Sequence, residues 1–192
     1  ETIKKIDGAL VEIQKQDLKS GAETMSYSGS PGIFAEWYRH GCGSVVTNHA
    51  GRSHMRSDLH RYLFASAFAA ANGRTAHLKD FPKALLPKHT NVQEGVKNNH
   101  FSDRFRAQVG GNPSTTITSH ISKDGHYFIH YDPSQCRSLT VREAARLQTF
   151  PDSYKFEGGR TSQYHQVGNA VPPLLSMKVA EIVHDILKRM KV

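Results

Sequence analysis

The C-terminal segment restricts this chain more than any other stretch of it. Leu175, Val179, Ile182, Val183, Ile186 and Met190 recur at helical spacing as one broad apolar stripe, and Lys178, Glu181, Asp185 and Lys188 lie opposite. A helix with such a face must bury it against something. Pro172 and Pro173 suit a first helical turn, where a backbone N–H is not needed, so the helix is expected to begin near 169–172. Whatever else folds here, it must supply or await an apolar partner. A second copy pairing through this exposed face, self-association, is one reading.

Upstream the pattern changes several times. Residues 1–16 alternate charged and apolar positions and suit a short helix. Residues 20–32 are rich in Gly, Ser and Pro and read as a loop. Residues 33–39 suit a short helix, and 53–72 a longer one, with Leu59, Leu63, Ala67 and Ala70 at helical spacing and Asn72-Gly73 as its stop. Residues 80–112 hold several Pro, Asn and Gly and read as loops. The β-branched run 115–121 and the run 126–130 flank Asp124-Gly125, the pattern of two antiparallel strands about a tight turn. From Leu139 the period is helical again. Thr140-Val141-Arg142-Glu143 has the form of a capping box, Val141, Ala144, Ala145, Leu147 and Gln148 share one side, and Pro151 ends the helix.

Lys and Arg number 25 against 17 Asp and Glu, a formal charge of +8, which suits a polyanionic partner such as nucleic acid. No apolar run reaches the roughly 20 residues of a membrane span, so no membrane partner is expected. Cys42 and Cys136 stand far apart, which fits a reducing cytoplasm better than a disulfide framework. His49, His54, His60 and Cys42 match no standard zinc spacing, so no metal is expected, and these side chains are given polar or structural roles.

Two segments carry a resemblance. Arg137-Ser138-Leu139-Thr140-Val141-Arg142-Glu143-Ala144-Ala145-Arg146-Leu147-Gln148-Thr149-Phe150-Pro151-Asp152 resembles the ninth conserved block of DNA cytosine-5 methyltransferases. Gln166-Val167-Gly168-Asn169-Ala170-Val171-Pro172-Pro173 resembles the tenth. Their order and spacing fit as well. Residues 104–130 resemble the end of the family's target-recognition region. Residues 1–100 fit its variable region only loosely.

The resemblance implies an α+β chain. A small target-recognition domain of short antiparallel strands and helices would span 1–155, with 1–40 a linker from a catalytic domain. Residues 156–192 would belong to that Rossmann-like catalytic domain, on which the C-terminal helix would pack. The family flips the target cytosine out of the duplex and methylates it from S-adenosylmethionine. Its Phe-x-Gly-x-Gly loop, Pro-Cys nucleophile and Glu-Asn-Val segment do not occur in these 192 residues, so no catalytic residue is assigned and the chain alone is expected to be inactive.

Gly168, Asn169, Ala170 and Val171 are the expected cofactor-facing residues. Gly168 permits a close backbone approach, and Asn169 is expected at a helix N-terminus, whose free amides suit a carboxylate. Arg104, Arg106, Thr116, Thr118, Ser119 and Arg137 are the expected contacts to double-stranded DNA, arginine being the commonest reader of guanine. Arg142 and Arg146 share a helix face and are expected to pair with Glu143 or Asp152 rather than with phosphates. Other partners would be the catalytic domain, in the same chain or a separate one, and the setting bacterial restriction-modification in the cytoplasm. Two alternatives stand beside the leading reading: a DNA-binding module descended from such an enzyme, and the small subunit of a split methyltransferase.

Overall fold

The structure is a computed structural model and describes residues 24–27, 32, 34–88, 92 and 102–190. The helix expected over 1–16 lies outside these residues. In chain order the elements are strand β1 (Thr24–Ser26), helix α1 (Ala35–Arg39), strand β2 (Val45–Thr47), helix α2 (Arg56–Asn72), helix α3 (Val141–Leu147), helix α4 (Arg160–Asn169) and helix α5 (Pro173–Met190). Short 3-10 helices cover Leu78–Asp80, Lys83–Leu85 and Ser119–Ser122. The class is mixed, mostly helix with little sheet, and the chain divides into two compact units.

The first unit takes in Ala50–Thr116 and Lys123–Thr140. Its centre is α2, which stops at Gly73, a residue in the left-handed conformation (φ 65°) that glycine adopts without strain. The helix ends at Asn72 as expected but begins at Arg56, and the expected face is buried only in part: Leu59 is in the core and Leu63 packs against it. Leu59, Tyr62, Ala65, Ser66 and Ala69 are buried, whereas Ala67 and Ala70 are exposed. The face turns because the polar tips on this side find partners: Ser66 Oγ donates to His130 O at 2.9 Å, and Tyr62 Oη lies 2.7 Å from His126 Nδ1. Leu78, Phe81, Phe105, Ala107, Ile129 and Cys136 close the core around the helix.

The two strands expected about Asp124-Gly125 do not form. Residues 119–122 make a 3-10 turn instead, closed by the Ile121 N–H on Thr118 O at 3.1 Å. Around this turn, among the described residues, Ile129 pairs as in a sheet in single bridges to Ala107 and Ser138. Ile117 and Ile121, four apart, are both buried, so the β-branched run serves a core at turn spacing rather than by alternation. The Asp-Gly turn itself is present, with Gly125 at φ 78° and the His126 N–H on Asp124 Oδ1 at 3.0 Å.

The second unit takes in Thr24–His49, Ile117–Ser122 and the described residues from Val141 onward. β1 and β2 pair antiparallel, Thr24 opposite Thr47 and Ser26 opposite Val45, and β1 lies inside 20–32, a stretch expected to be a loop. α3 buries Val141, Ala144 and Ala145, and the chain leaves it through Thr149 at φ 62°, four residues after Ala145 and ahead of Pro151. Leu147, expected on the inner side, is 43% exposed. α4 has no clear apolar period in the sequence; it buries Gln163, Tyr164 and Val167. α5 buries none of its residues, and Ile182 is 61% exposed.

Candidate functional site

The ninth-block segment is organised around one carboxylate. The Asp152 side chain is fully buried. It accepts hydrogen bonds from Arg146 Nε at 2.9 Å and Nη2 at 2.5 Å, and from Arg39 Nη1 at 3.0 Å. Arg142 Nη1 stands 3.8 Å away. Burial alone would raise the Asp152 pKa; the hydrogen bonds from Arg146 and Arg39 outweigh it and hold the carboxyl below its ordinary value. The expected pairing of Arg146 and Arg142 with Asp152 is present, and Arg39 joins it from α1. Nothing in the sequence connects residues 39 and 152.

Arg142 is spent inside the unit as well. Its guanidinium donates to Thr47 O at 3.0 Å, Pro151 O at 3.1 Å and Tyr154 O at 2.6 Å, and burial pushes its pKa down. Asn48, at φ 58°, locks the same region by exchanging two hydrogen bonds with the Phe156 backbone at 2.9 and 3.0 Å. Trp37 Nε1 donates to Thr149 O at 2.9 Å, and Tyr38 Oη to Arg146 O at 2.8 Å.

The tenth-block segment departs from expectation at Asn169. This residue closes α4 instead of opening a helix, and the next helix begins at Pro173. The amides that would suit a carboxylate are therefore not at Asn169, where the helix presents carbonyls. Asn169 and Val171 are exposed, and Ala170 is half-buried. Gly168 does make a close backbone approach, to this chain's own Thr118-Ser119: an added Cβ would stand 2.5 Å from Ser119 Cα. The structure thus brings together Gly168 from the cofactor set and Thr118 and Ser119 from the DNA set. Sequence spacing carried no signal for that meeting.

Thr118 is exposed and Ser119 half-buried. In the first unit, Thr116 is exposed, Arg104 is half-buried, and Arg106 pairs with Asp103 three residues earlier. Arg137 is 8% exposed and donates to Ser138 O at 3.1 Å, so it is the least accessible of the set. Gln108 ties down the approach to this segment, accepting from the Thr115 N–H at 3.2 Å.

The first unit also holds a buried polar cluster. Tyr62 Oη lies 2.7 Å from His126 Nδ1 and 3.4 Å from His54 Nδ1, and His54 Nε2 lies 3.0 Å from Ser138 Oγ. Burial lowers both histidines, His54 to about 3 with help from the nearby Arg52 charge, and raises Tyr62. Among the described residues no group of three or more His, Cys, Asp or Glu side chains is placed to hold a metal, and no helix is long and apolar enough to cross a membrane.

The sequence model of the C-5 cytosine-specific DNA methylases matches residues 43–185. Type II methyltransferase M.Bpa9945I of Bacillus paralicheniformis is 48% identical over 141 residues, 73% of this chain and 30% of its own length. Type II methyltransferase M1.HphI of Haemophilus parahaemolyticus is 36% identical over 74% of this chain and 32% of its own. Type II methyltransferase M.DdeI of Desulfomicrobium norvegicum is 30% identical over 92% of this chain and 41% of its own. The chain therefore spans between 30% and 41% of the length of these curated relatives.

Proposed function

The chain belongs to the C-5 cytosine-specific DNA methylase family, and we propose that it is the DNA-recognising, C-terminal part of an enzyme that methylates C5 of cytosine in duplex DNA. The setting is a type II restriction-modification system in a bacterial cytoplasm. The observation that carries this reading is the match over 43–185, which takes in both conserved blocks in order. A formal charge of +8 and the exposed apolar face of α5 support it, the first suiting a phosphate backbone and the second a catalytic domain packed on that helix.

Arg104, Arg106, Thr116, Thr118, Ser119 and Arg137 are the proposed DNA contacts. Gly168, Asn169, Ala170 and Val171 are the proposed wall of the S-adenosylmethionine site, and residues 156–192 the part that joins the catalytic domain. The exposed Asn169 amide beside the exposed Val171 fits a wall that offers one polar and one apolar contact, not an anion cradle. S-adenosylmethionine supplies the methyl group when bound; these residues bound its site. Methyl transfer itself is assigned to other residues. Neither cysteine follows a proline, and the Cys136 thiol is buried and donates to Leu59 O at 3.0 Å.

Duplex binding by the chain, followed by fluorescence anisotropy over a range of salt, tests the DNA reading. The expected result is binding that weakens steeply with salt, and an Arg104→Ala variant whose log–log slope is smaller by about one. Absence of binding at low salt would count against it.

A further inference from the structure

The segment Ile117–Ser122 is held from one side and open on the other. Ile117 and Ile121 are 3% and 1% exposed, while Thr118 and His120 face outward as exposed residues. Two residues far away in sequence fix its place. The first is Gly168 on α4. A Cβ there would stand 2.5 Å from Ser119 Cα and closer still to the Thr118 carbonyl carbon and the Ser119 amide nitrogen. All three are backbone atoms, so no rotamer change makes room, and the helix or the segment would have to shift. The second is Gln148, buried just beyond α3. Its Nε2 donates to Ile117 O at 3.1 Å and to Val167 O at 3.3 Å, so one amide group ties the segment to α4 one residue before Gly168.

We propose that Gly168 and Gln148 are positioning residues for DNA reading: together they set the height at which Thr118 and Ser119 stand above α4. This rests on the reading that Thr118 and Ser119 meet DNA. Neither Gly168 nor Gln148 touches the duplex in this role. Hydrogen bonds to base edges and phosphates are lost within a few tenths of an ångström beyond about 3.2 Å, and base readout depends on direction as well as distance. A shift of the segment therefore changes which sequence is preferred before it changes how strongly the protein is drawn to phosphates. The tenth block acts on recognition through packing.

The test uses the complete polypeptide that contains these residues, with Gln148→Met and Gly168→Ala variants. Each protein selects its preferred site from a randomised duplex library. Affinity for the wild-type site and for a scrambled duplex is then measured over a range of salt, with thermal unfolding in parallel. The expected result is a folded Gln148→Met protein whose preference for the wild-type site falls at least about tenfold, near 1.4 kcal/mol, with an unchanged salt slope. Gly168→Ala is expected to lose as much or more, and if it fails to fold, Gln148→Met decides. A folded Gln148→Met protein that keeps the wild-type preference overturns the proposal. So does an equal loss on both duplexes, or unfolding of both variants, since those outcomes mark a purely structural role. A wild-type protein with no sequence preference instead removes the underlying reading of Thr118 and Ser119, and this inference with it.

Discussion

In the first unit the two imidazoles and the phenol that meet at the core are kept neutral. His54 and His126 flank the Tyr62 hydroxyl, burial lowers both imidazoles and raises the phenol, and the buried carboxylate nearby, Asp58, is paired outside this ring cluster with Arg61 at 2.6 Å. In the second unit the buried cluster is charged. Asp152 is fully buried and shared by Arg146 and Arg39, with Arg142 beside them. A neutral network costs less to desolvate, but it fails once acid protonates it. A buried ion cluster tolerates a wider pH range and fails when any one partner is removed. Each unit should therefore have its own weak point, and the chain's single tryptophan, Trp37, reports on the second alone.

The largest effect is expected at Asp152. Asp152→Ala leaves Arg146, Arg39 and Arg142 without their shared anion, and removing one partner of a buried pair costs about 3–5 kcal/mol. Urea unfolding followed by Trp37 fluorescence should show a loss of this size, and a loss under about 1 kcal/mol would mean that water already compensates the arginines. Next comes Tyr62→Phe, which strips the hydroxyl from between two imidazoles and should cost about 1–3 kcal/mol by leaving their ring nitrogens unsatisfied. Circular dichroism is the suitable probe, since α2 carries the residue. No change there would place water or another partner at His126.

Mild acid should produce the smallest effect and separate the units. The His54 pKa is about 3 in the folded chain against an ordinary 6.5. The unfolded chain takes up the proton first, so stability falls as pH drops from 6.5 towards 3. The folded Asp152 carboxyl lies below its ordinary 3.8, so its contribution is intact above that value and is lost only as pH falls further. Between pH 6.5 and 5 the part of the helical signal that α2 contributes should become easier to melt, while Trp37 fluorescence and the helical signal of the second unit hold. Simultaneous loss of both signals would show that the two units unfold as one.

Much of the helical content is legible in the sequence, and the reason differs from element to element. α5 is plain because its apolar and charged residues separate cleanly at helical spacing, with Pro173 at its start. α2 is legible in extent but only partly in orientation: Leu59 and Leu63 face the core as expected, whereas Tyr62 and Ser66 become core residues only when His126 and His130 arrive from far along the chain. α4 is hidden by its polarity, since Arg160-Thr161-Ser162-Gln163 opens it and only three of its residues are buried. β1 is three residues long and exists only through its pairing with β2, so a local reading sees a loop. The same limit applies to the candidate site. The conserved blocks can be read in order, and Asp152 can be named as a partner for Arg146. The third arginine, the meeting of Gly168 with Thr118-Ser119, and the position of Asn169 at the end of a helix all depend on tertiary packing.

The most direct measurement of the central claim is transfer of labelled methyl groups from S-adenosylmethionine to unmethylated duplex DNA. It would be run with this chain alone, with the catalytic portion of the enzyme alone, and with the two mixed. The account predicts no transfer to cytosine C5 in either single-protein reaction, and sequence-specific transfer in the mixture. Methylation by this chain alone, or none at any sequence in the mixture, would contradict it.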